Sequence, residues 1–326
     1  MAIFIRSGNT EFDIEESGET YILGTSFTRI VTNANGIFIG DGFTDNTLIV
    51  RGEILQSGNG FAAIWADGTD TTIRIAATGS IKGFIGIASA NTEPSSDLDI
   101  FNDGTIEGSN FAIQTQDSTE TVINHGEILG RIDLGSGKDL FDNRGGKVDH
   151  RIGGGTGDDT LIVDRAATKL FENGGSAGYD TVRSTVTYTL SANVERLVLL
   201  GSRDIDGNGT ADGDDLFGNG GDNVLRGKAG VDDVSGKKGN DILFGGFDSD
   251  TFHFSTGDGR DVIADFTDGS DRIDVSHWNA IAGFNDLINN HAHQQGNDVL
   301  IEAGSDSLLI KNIAKTDLDA MDFIFI

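Results

Sequence analysis

Residues 209–253 read GTADGDDLF, GNGGDNVLR, GKAGVDDVS, GKKGNDILF and GGFDSDTFH, five consecutive units of nine residues. Each unit begins with a glycine, and its eighth residue is always apolar. The sixth residue is a carboxylate in four units and an amide in one: Asp214, Asn223, Asp232, Asp241 and Asp250. Three columns that hold through five units predict a stack of equivalent short turns and strands.

Each unit predicts a glycine turn followed by a short strand. Glycine adopts positive φ without steric cost, so the first residue of each unit is expected to form the tight turn. In the x-apolar-x strand that follows, one side chain points inward. If two units make one coil, residues 18 positions apart share an edge. This spacing places Asp214, Asp232 and Asp250 on one edge and Asn223 and Asp241 on the other.

The arrangement predicts calcium sites along both edges. The sixth-position oxygens would lie beside turn carbonyls, and Ca²⁺ takes about six to eight such hard oxygen ligands. We therefore expect several calcium ions between the turns of successive coils. Beside the five sixth-position residues, the expected ligands belong to the turn glycines Gly218, Gly227, Gly230, Gly236, Gly239 and Gly245.

The composition agrees with a cation-binding chain. Among 326 residues there are 52 Asp and Glu against 23 Lys and Arg, which gives a net charge of −29. Nucleic-acid binding needs a basic surface, so that class of function is excluded. The acidic residues alternate with Val, Ile, Leu and Phe, which favours neutralisation by cations over a disordered acidic chain. Because the chain has no Cys, it has no disulfides to stabilise it.

A second, longer period precedes these units. An x-Gly-x-Ile core recurs at Gly52, Gly79, Gly104 and Gly126, with spacings of 27, 25 and 22 residues. Alternating apolar stretches flank each core, and strands at such a coil length predict a parallel β-helix. The alternative is an antiparallel sandwich with glycine turns. Hairpin-type Asn-Gly or Asp-Gly turns that are flanked by matching strands are scarce, which argues against it.

The two periods meet in three stretches that resemble the nine-residue unit but occur once per coil. They are 134–142, 154–162 and 174–182, and they carry Asp139, Asp159 and Asp180 at spacings of 20 and 21 residues. This pattern predicts β-helix coils that have a calcium-binding edge on one side.

The nine-residue pattern resembles the GGxGxDxUx repeat of the RTX (repeats-in-toxin, hemolysin-type) family, a calcium β-roll. Residues 181–201 are similar to the segment that commonly precedes these repeats, and 259–276 to the cap that follows them. The stretch 322–326 resembles the end of an uncleaved type I secretion signal. The resemblance implies export by a type I exporter and folding on calcium outside the cell.

The units depart from the family pattern in ways that bear on affinity. Position two is rarely glycine, and position four is aspartate at Asp212 and Asp248. Asn223 replaces an aspartate. We therefore expect the site that it shares with Asp241 to bind calcium more weakly than the fully acidic sites.

A further acidic motif overlaps the first unit. Asp204, Asp206, Asn208, Asp212 and Asp215 have the spacing of an EF-hand or dockerin calcium loop. The bidentate glutamate at position twelve of such a loop is missing, and repeats follow in place of a helix. Two interpretations stay open, an EF-type loop and the first turn of the roll. Both assign Asp204, Asp206 and Asp212 to calcium.

Signatures of catalysis are weak, and no catalytic residue is assigned. Residues 174–178 satisfy GxSxG, but a nucleophile elbow needs a strand–turn–helix context, and this stretch is a repeat turn. The alternative function is a carbohydrate-active β-helix enzyme of the polysaccharide lyase or uronan epimerase type. Its catalytic face would need acid, base and arginine together, and the candidates are Glu53, Asp67, Arg74 and Lys82.

The sequence thus predicts an all-β fold, in which a right-handed parallel β-helix (solenoid) continues into an RTX calcium β-roll with a C-terminal cap. The predicted segments are 1–45 (cap of the solenoid), 46–132 (parallel β-helix), 133–200 (transitional β-helix with a calcium-binding edge), 201–255 (β-roll) and 256–326 (cap and type I secretion signal).

The expected function is that of a secreted, non-catalytic calcium-binding protein with a surface, adhesion or matrix role. Another hypothesis is a secretion-competent module of a larger adhesin. Calcium, a type I exporter, and an extracellular polysaccharide or the cell surface are the expected partners. No N-terminal signal peptide and no run of 18 apolar residues is visible, so export is expected to depend on the C-terminal segment.

Overall fold

The computed structural model describes residues 2–5, 8–40, 42–90, 97–172 and 178–325. The chain divides into two compact units, Met1–Asp180 (unit 1) and Thr181–Ile326 (unit 2). The described helical structure is confined to the short helix α1 (Phe284–Asp286) and the π-helical turn Leu287–His291. No described helix is long and apolar enough to cross a membrane. The five segments predicted from the sequence divide the chain more finely and stay a prediction.

Unit 1 is a stack of coils built from two main sheets. One sheet has the order β1-β3-β6-β9-β11-β13-β15-β18; the other contains β2, β5, β8, β10, β12, β14, β17 and β19, with β4, β7 and β16 beside them. The strands are β1 (Ala2–Ile5), β2 (Phe12–Ile14), β3 (Thr20–Leu23), β4 (Thr28–Val31), β5 (Ile37–Ile39), β6 (Thr47–Val50), β7 (Glu53–Gln56), β8 (Ala62–Ala66), β9 (Thr71–Ile75), β10 (Ser80–Ala88), β11 (Asp97–Asn102), β12 (Thr105–Gln114), β13 (Thr119–Asn124), β14 (Glu127–Asp133), β15 (Leu140–Asp142), β16 (Lys147–Val148), β17 (Ile152–Gly153), β18 (Thr160–Val163) and β19 (Leu170–Phe171).

The core of unit 1 is a column of aliphatic side chains that repeat from coil to coil. Leu48 pairs with Ile73, Ile73 with Ile100, and Ile100 with Val122, all in parallel register. All four residues are fully buried. Along each of these strands, every second side chain therefore points into the coil. This register confirms the predicted parallel solenoid, and the alternative of an antiparallel sandwich is wrong for the described part of unit 1.

Unit 2 continues the same design with shorter strands. One sheet has the order β20-β22-β24-β26-β28-β30-β34, and the other β21-β23-β25-β27-β29-β33-β32-β31. Only the pairs β31–β32 and β32–β33 are antiparallel among the pairs described in this unit. The strands are β20 (Thr181–Ser184), β21 (Tyr188–Thr189), β22 (Arg196–Leu199), β23 (Gly207–Asn208), β24 (Asp215–Phe217), β25 (Val224–Ala229), β26 (Asp233–Ser235), β27 (Ile242–Phe247), β28 (Thr251–His253), β29 (Arg260–Ile263), β30 (Arg272–Asp274), β31 (Ala292–Gln295), β32 (Asp298–Ala303), β33 (Asp306–Ile310) and β34 (Phe323–Ile324).

The nine-residue units of unit 2 alternate between the two sheets, so two units make one coil. Leu216 pairs with Val234 and Val234 with Phe252 in one sheet, while Leu225 pairs with Leu243 in the other. All five side chains are buried. The predicted 18-residue register is therefore confirmed.

The turn geometry differs from the prediction in one respect. No first-position glycine of the five units has a positive φ. Positive φ values occur instead at positions two and four, as at Lys228 (96°), Gly230 (100°), Lys237 (67°) and Gly239 (142°). The expectation that the first glycine supplies a positive φ to the turn is therefore wrong. Close packing explains that glycine, as the site geometry shows.

Candidate calcium-binding edges

The first edge of the roll lies where β24, β26 and β28 begin. Asp214, Asp232 and Asp250 stand directly before these strands and are buried. The backbone N–H of Asp214 donates to Asp232 Oδ1 (2.7 Å), and that of Asp232 donates to Asp250 Oδ1 (3.0 Å). The structure therefore brings together the three aspartates that the repeat spacing placed on one edge.

The second edge holds Asn223 and Asp241. The Asn223 N–H donates to Asp241 Oδ1 at 2.7 Å. The Asn223 side-chain nitrogen donates to the Ile205 carbonyl (2.6 Å), and its Oδ1 accepts the N–H of Asn219 (2.8 Å). Because this amide is uncharged and already engaged, it would contribute less to binding a cation than a carboxylate at the same position.

Both edges extend beyond the five units. The Asp241 N–H donates to Asp261 Oδ1 (2.9 Å), and the Asp250 N–H donates to Asp271 Oδ1 (3.0 Å). Sequence reasoning missed Asp261 and Asp271, because insertions shift them to spacings of 20 and 21 residues. A detectable signal was present, since each has an isoleucine two residues later, Ile263 or Ile273, as the sixth and eighth positions of a unit require.

The second carboxylate oxygen of these aspartates is left without a partner. The buried Oδ2 atoms of Asp232, Asp241, Asp250 and Asp261 accept no hydrogen bond from any described residue. Burying a polar atom without a partner costs free energy, and burying a charge costs more. Loss of hydration therefore raises the pKa of Asp232 and Asp241 to about 7 and that of Asp261 to about 8.

The first-position glycines leave space beside these oxygens. A Cβ built on Gly227 would lie 2.1 Å from Asp232 Oδ2 and 2.5 Å from the Gly245 carbonyl oxygen. A Cβ on Gly236 would lie 2.2 Å from Asp241 Oδ2, and one on Gly218 would lie 2.2 Å from the Gly236 carbonyl oxygen. Any larger residue would fill a volume that faces carboxylate and carbonyl oxygens, which explains the glycine column.

These features fit calcium. Among the described residues, no three His, Cys, Asp or Glu side chains form a ligand cluster by themselves. A cation at the edges would therefore need backbone carbonyls as well as the aspartates, and calcium accepts such mixed oxygen ligands in flexible geometry. An unpartnered carboxylate oxygen beside a carbonyl is the local arrangement that such an ion requires.

Unit 1 has an edge of the same kind. The Asp139 N–H donates to Asp159 Oδ1 (2.8 Å), and the Asp159 N–H donates to Asp180 Oδ1 (2.9 Å). Glu120, which sequence reasoning missed, adds one more step, because its N–H donates to Asp139 Oδ1 (2.8 Å). Burial, reinforced by the Glu120 carboxyl, raises the pKa of Asp139 to about 9. The three predicted aspartates thus form one ladder.

The acidic residues that have the spacing of an EF-hand loop do not surround one point. Asp204 Oδ1 accepts the Asp222 N–H (2.9 Å), and Asp206 Oδ1 accepts the Val224 N–H (3.0 Å), both from the next coil. Asp212 is exposed, and its own N–H donates to the Thr210 hydroxyl (3.1 Å). Strands β23 and β24 lie on either side of this turn. Of the two interpretations, the geometry favours the first turn of the roll.

The candidate residues for an enzyme do not share one face. Glu53 and Lys82 lie on β7 and β10 of one sheet, whereas Arg74 lies on β9 of the other. Arg74 stacks 4.0 Å from the Phe101 ring, and Lys82 pairs with Glu107 at 2.6 Å. The GxSxG stretch lies outside the described residues apart from its last glycine.

Curated relatives match roughly half of this chain. The endo-1,3-1,4-β-glycanase ExsH of Rhizobium meliloti (strain 1021) is 33% identical over 172 residues, which cover 52% of this chain and 34% of the relative. The endo-1,3-1,4-β-glycanase EglC of the same organism is 32% identical over 177 residues, 54% of this chain and 35% of the relative. The matches thus span about a third of the length of these curated relatives.

A solved structure and a family model also match this chain. The crystal structure of the extracellular lipase LipA from Serratia marcescens aligns over 71% of this chain and 45% of its own, with 15% identity and a TM-score of 0.27. The family described as peptidase M10 serralysin C terminal matches residues 42–293, well over half of the sequence. The chain therefore belongs to the peptidase M10 serralysin C-terminal family.

Proposed function

We propose that this chain is a secreted, non-catalytic calcium-binding repeat protein that folds when it binds calcium after export. The observation that carries the proposal is the set of buried aspartate oxygens without partners on both edges of the roll. A bound cation would satisfy these oxygens and offset the repulsion between stacked carboxylates. The proposed ligands are the sixth-position residues, their carbonyl neighbours, and Asp139, Asp159 and Asp180 of unit 1.

Calcium affinity determines where such a protein folds. Each coil of the roll buries few apolar side chains, so the free energy of calcium binding contributes directly to the free energy of folding. Extracellular calcium modules bind with dissociation constants of about 10⁻⁴–10⁻³ M, far above cytosolic free calcium. The chain would thus stay unfolded in the producing cell and fold outside it.

Export is proposed to depend on the segment 276–326. Phe323 of this segment is buried, and β34 pairs with β30 in the folded protein. A signal in this position would be available to a type I exporter only before folding. Removing the segment should keep the protein inside cells that carry such an exporter; its appearance in the medium would contradict this route.

The proposed role outside the cell is at the surface or in a matrix, with a polysaccharide as partner. A carbohydrate-active enzyme is the second candidate, favoured by the names of the two curated relatives. Two observations argue against an enzyme. The candidate catalytic residues lie apart, and a pocket of unit 1 has a volume of only about 70 Å³. This pocket is lined by residues that include Arg131, Asp133, Arg151 and Phe171. Release of reducing sugars from a mixed-linkage β-glucan by the purified chain would favour the enzyme.

The number of calcium ions bound per chain tests the proposed function. Asp232 is in the middle of its edge and has an unpartnered buried oxygen, whereas the Asn223 amide is uncharged and already engaged. Asp232→Ala should therefore remove more calcium than Asn223→Ala. Titration calorimetry of the full chain and both variants gives the number of ions and their affinities. Equal losses would contradict the assignment of ligands.

A further inference from the structure

One row of residues on the outer surface of unit 1 crosses the strands β8, β10, β12, β14, β17 and β19. Parallel pairing joins its members in this order: Trp65, Ala88, Gln114, Asp133, Gly153 and Phe171. The members of the row beside it are all buried: Ile64, Ile87, Ile113, Ile132, Ile152 and Leu170. Because successive residues of a strand point to opposite faces, the first row lies outside. Five strand spacings of about 4.8 Å make it about 24 Å long.

Aromatic rings cover the first part of this outer surface. Trp65, Phe84 and Phe111 are partly exposed and pack against a small group of buried apolar residues. The indole N–H of Trp65 donates to Asp67 Oδ2 (2.5 Å), and Asp67 Oδ1 accepts the N–H of Ala90 (2.6 Å). The indole ring is therefore held in place. Partly exposed rings offer an apolar surface against which the C–H face of a sugar ring can pack.

Two exposed arginines, Arg131 and Arg151, lie beside the second part of the row. Each directly precedes a residue of the buried row, and those two residues are paired, so the arginines lie side by side on successive coils. Arg131 stacks 4.6 Å from the centre of the Phe111 ring, and Arg151 stacks 3.5 Å from that of Phe171. Neither guanidinium forms an ion pair or a hydrogen bond with another described residue. Two adjacent positive charges without a carboxylate partner favour the binding of an anion.

Both arginines line one small groove. Asp133, Gly153 and Phe171 lie beside them in the groove, whose volume is about 70 Å³. This space suits a substituent such as a carboxylate better than a whole sugar ring. A guanidinium that stacks on a ring keeps the N–H groups of its edge free, and these bind a carboxylate through two hydrogen bonds. The Asp133 carboxylate can accept hydrogen bonds from hydroxyl groups.

We propose that this surface binds an acidic polysaccharide, whose sugars carry carboxylates, lengthwise along the stack of coils. The surface is called the outer strip, and its main residues are Trp65, Phe111, Gln114, Arg131, Arg151 and Phe171. The rings pack against sugar rings, and the two arginines bind carboxylates. The inference rests on the proposed extracellular role and names the class of its polysaccharide partner.

The pairing of the strands favours a sugar chain over an acidic peptide. All strands of the outer strip except β19 are paired on both sides. An extended peptide could therefore not add to them as a further strand, which is a common way to bind such a peptide. A polysaccharide needs no strand edge, because it binds through ring faces, hydroxyl groups and carboxylates.

Calorimetric titration of the calcium-loaded full chain with tetragalacturonate tests the outer strip. This oligomer is too short for calcium to cross-link into a gel, and cellotetraose is a neutral sugar of the same length. The chain should bind tetragalacturonate roughly tenfold more tightly than cellotetraose, and R131Q and R151Q should each weaken that binding roughly tenfold, because each removes charged hydrogen bonds. R74Q is the matched control and should keep the affinity, since it removes an arginine stacked on Phe101 in the other sheet.

Unchanged affinity for tetragalacturonate in the R131Q/R151Q double variant would overturn the proposal. Equal affinity of the wild-type chain for cellotetraose or for tetraglutamate would also overturn it, because the strip would then recognise either no charge or any anion. If the double variant has a lower melting temperature, R131K/R151K replaces it. This variant keeps the charge, loses the paired hydrogen bonds and should still bind several-fold more weakly.

Calcium counted in the same samples separates this inference from the calcium-dependent function. A chain that binds calcium but no tetragalacturonate would disprove the outer strip and leave the calcium-dependent function standing. A chain that binds tetragalacturonate through the two arginines but binds no calcium would do the reverse.

Discussion

At the scale of single residues, the first-position glycines are explained by what faces them. Gly227 has no positive φ, so backbone freedom is not the reason for its place in the repeat. Its hydrogen points at Asp232 Oδ2 and at the Gly245 carbonyl, where a methyl group would collide with both. The glycine column therefore leaves room for the proposed ion as well as for the packing of coils.

Gly227→Ala should destabilise the protein. The new Cβ would lie 2.1 Å from Asp232 Oδ2, and overpacking of this kind costs about 1–3 kcal/mol. Gly220→Ala is the matched control within the roll, because the nearest atom to its Cβ would be 3.5 Å away and its φ is not positive. Thermal unfolding in calcium compares the two. A Gly227→Ala variant as stable as Gly220→Ala would show that the turn adjusts freely.

At the scale of strands and edges, the sequence predicts the ligand residues only where they recur at a constant spacing. The nine-residue units fixed the 18-residue register, and with it the partners of Asp214 and Asp232, because every coil of the roll has the same length. Asp261 and Asp271 were missed because short insertions break this period while the backbone keeps the ladder.

The stacked carboxyls predict how stability depends on pH in the absence of calcium. Burial raises the pKa of Asp232 and Asp241 to about 7 and of Asp261 to about 8, whereas unfolded Asp has a pKa of about 3.9. The folded state therefore holds protons that the unfolded chain has lost. The stability that these protons confer is complete below about pH 4 and is lost as pH rises through the folded pKa values.

In EGTA, the melting temperature should accordingly fall between pH 5 and pH 8. In millimolar calcium the trend should reverse, because protons compete with the ion for the same oxygens. Calorimetric melts at both conditions and several pH values make the comparison. A flat profile in EGTA would mean that the edge carboxyls are better hydrated than their burial implies.

At the scale of the whole molecule, the fold must be stable in spite of a large negative net charge. The chain has a net charge of −29, yet its coils place carboxylates above one another and bury only a narrow apolar core. The sequence predicted the parallel solenoid because apolar periodicity and glycine spacing both follow from the coil. It did not predict a ligand for residues 1–132, since no motif with a fixed spacing marks a binding surface there.

Circular dichroism of the full chain in EGTA, followed by titration with calcium, tests whether the roll folds when it binds calcium. In EGTA we expect a β signal that lacks the contribution of the roll, and a cooperative gain of β structure as calcium reaches about 10⁻⁴–10⁻³ M. Magnesium at the same concentration should not substitute, because it requires a tighter octahedral site. A β signal and a melting temperature that are the same with and without calcium would show that the protein does not fold on calcium binding.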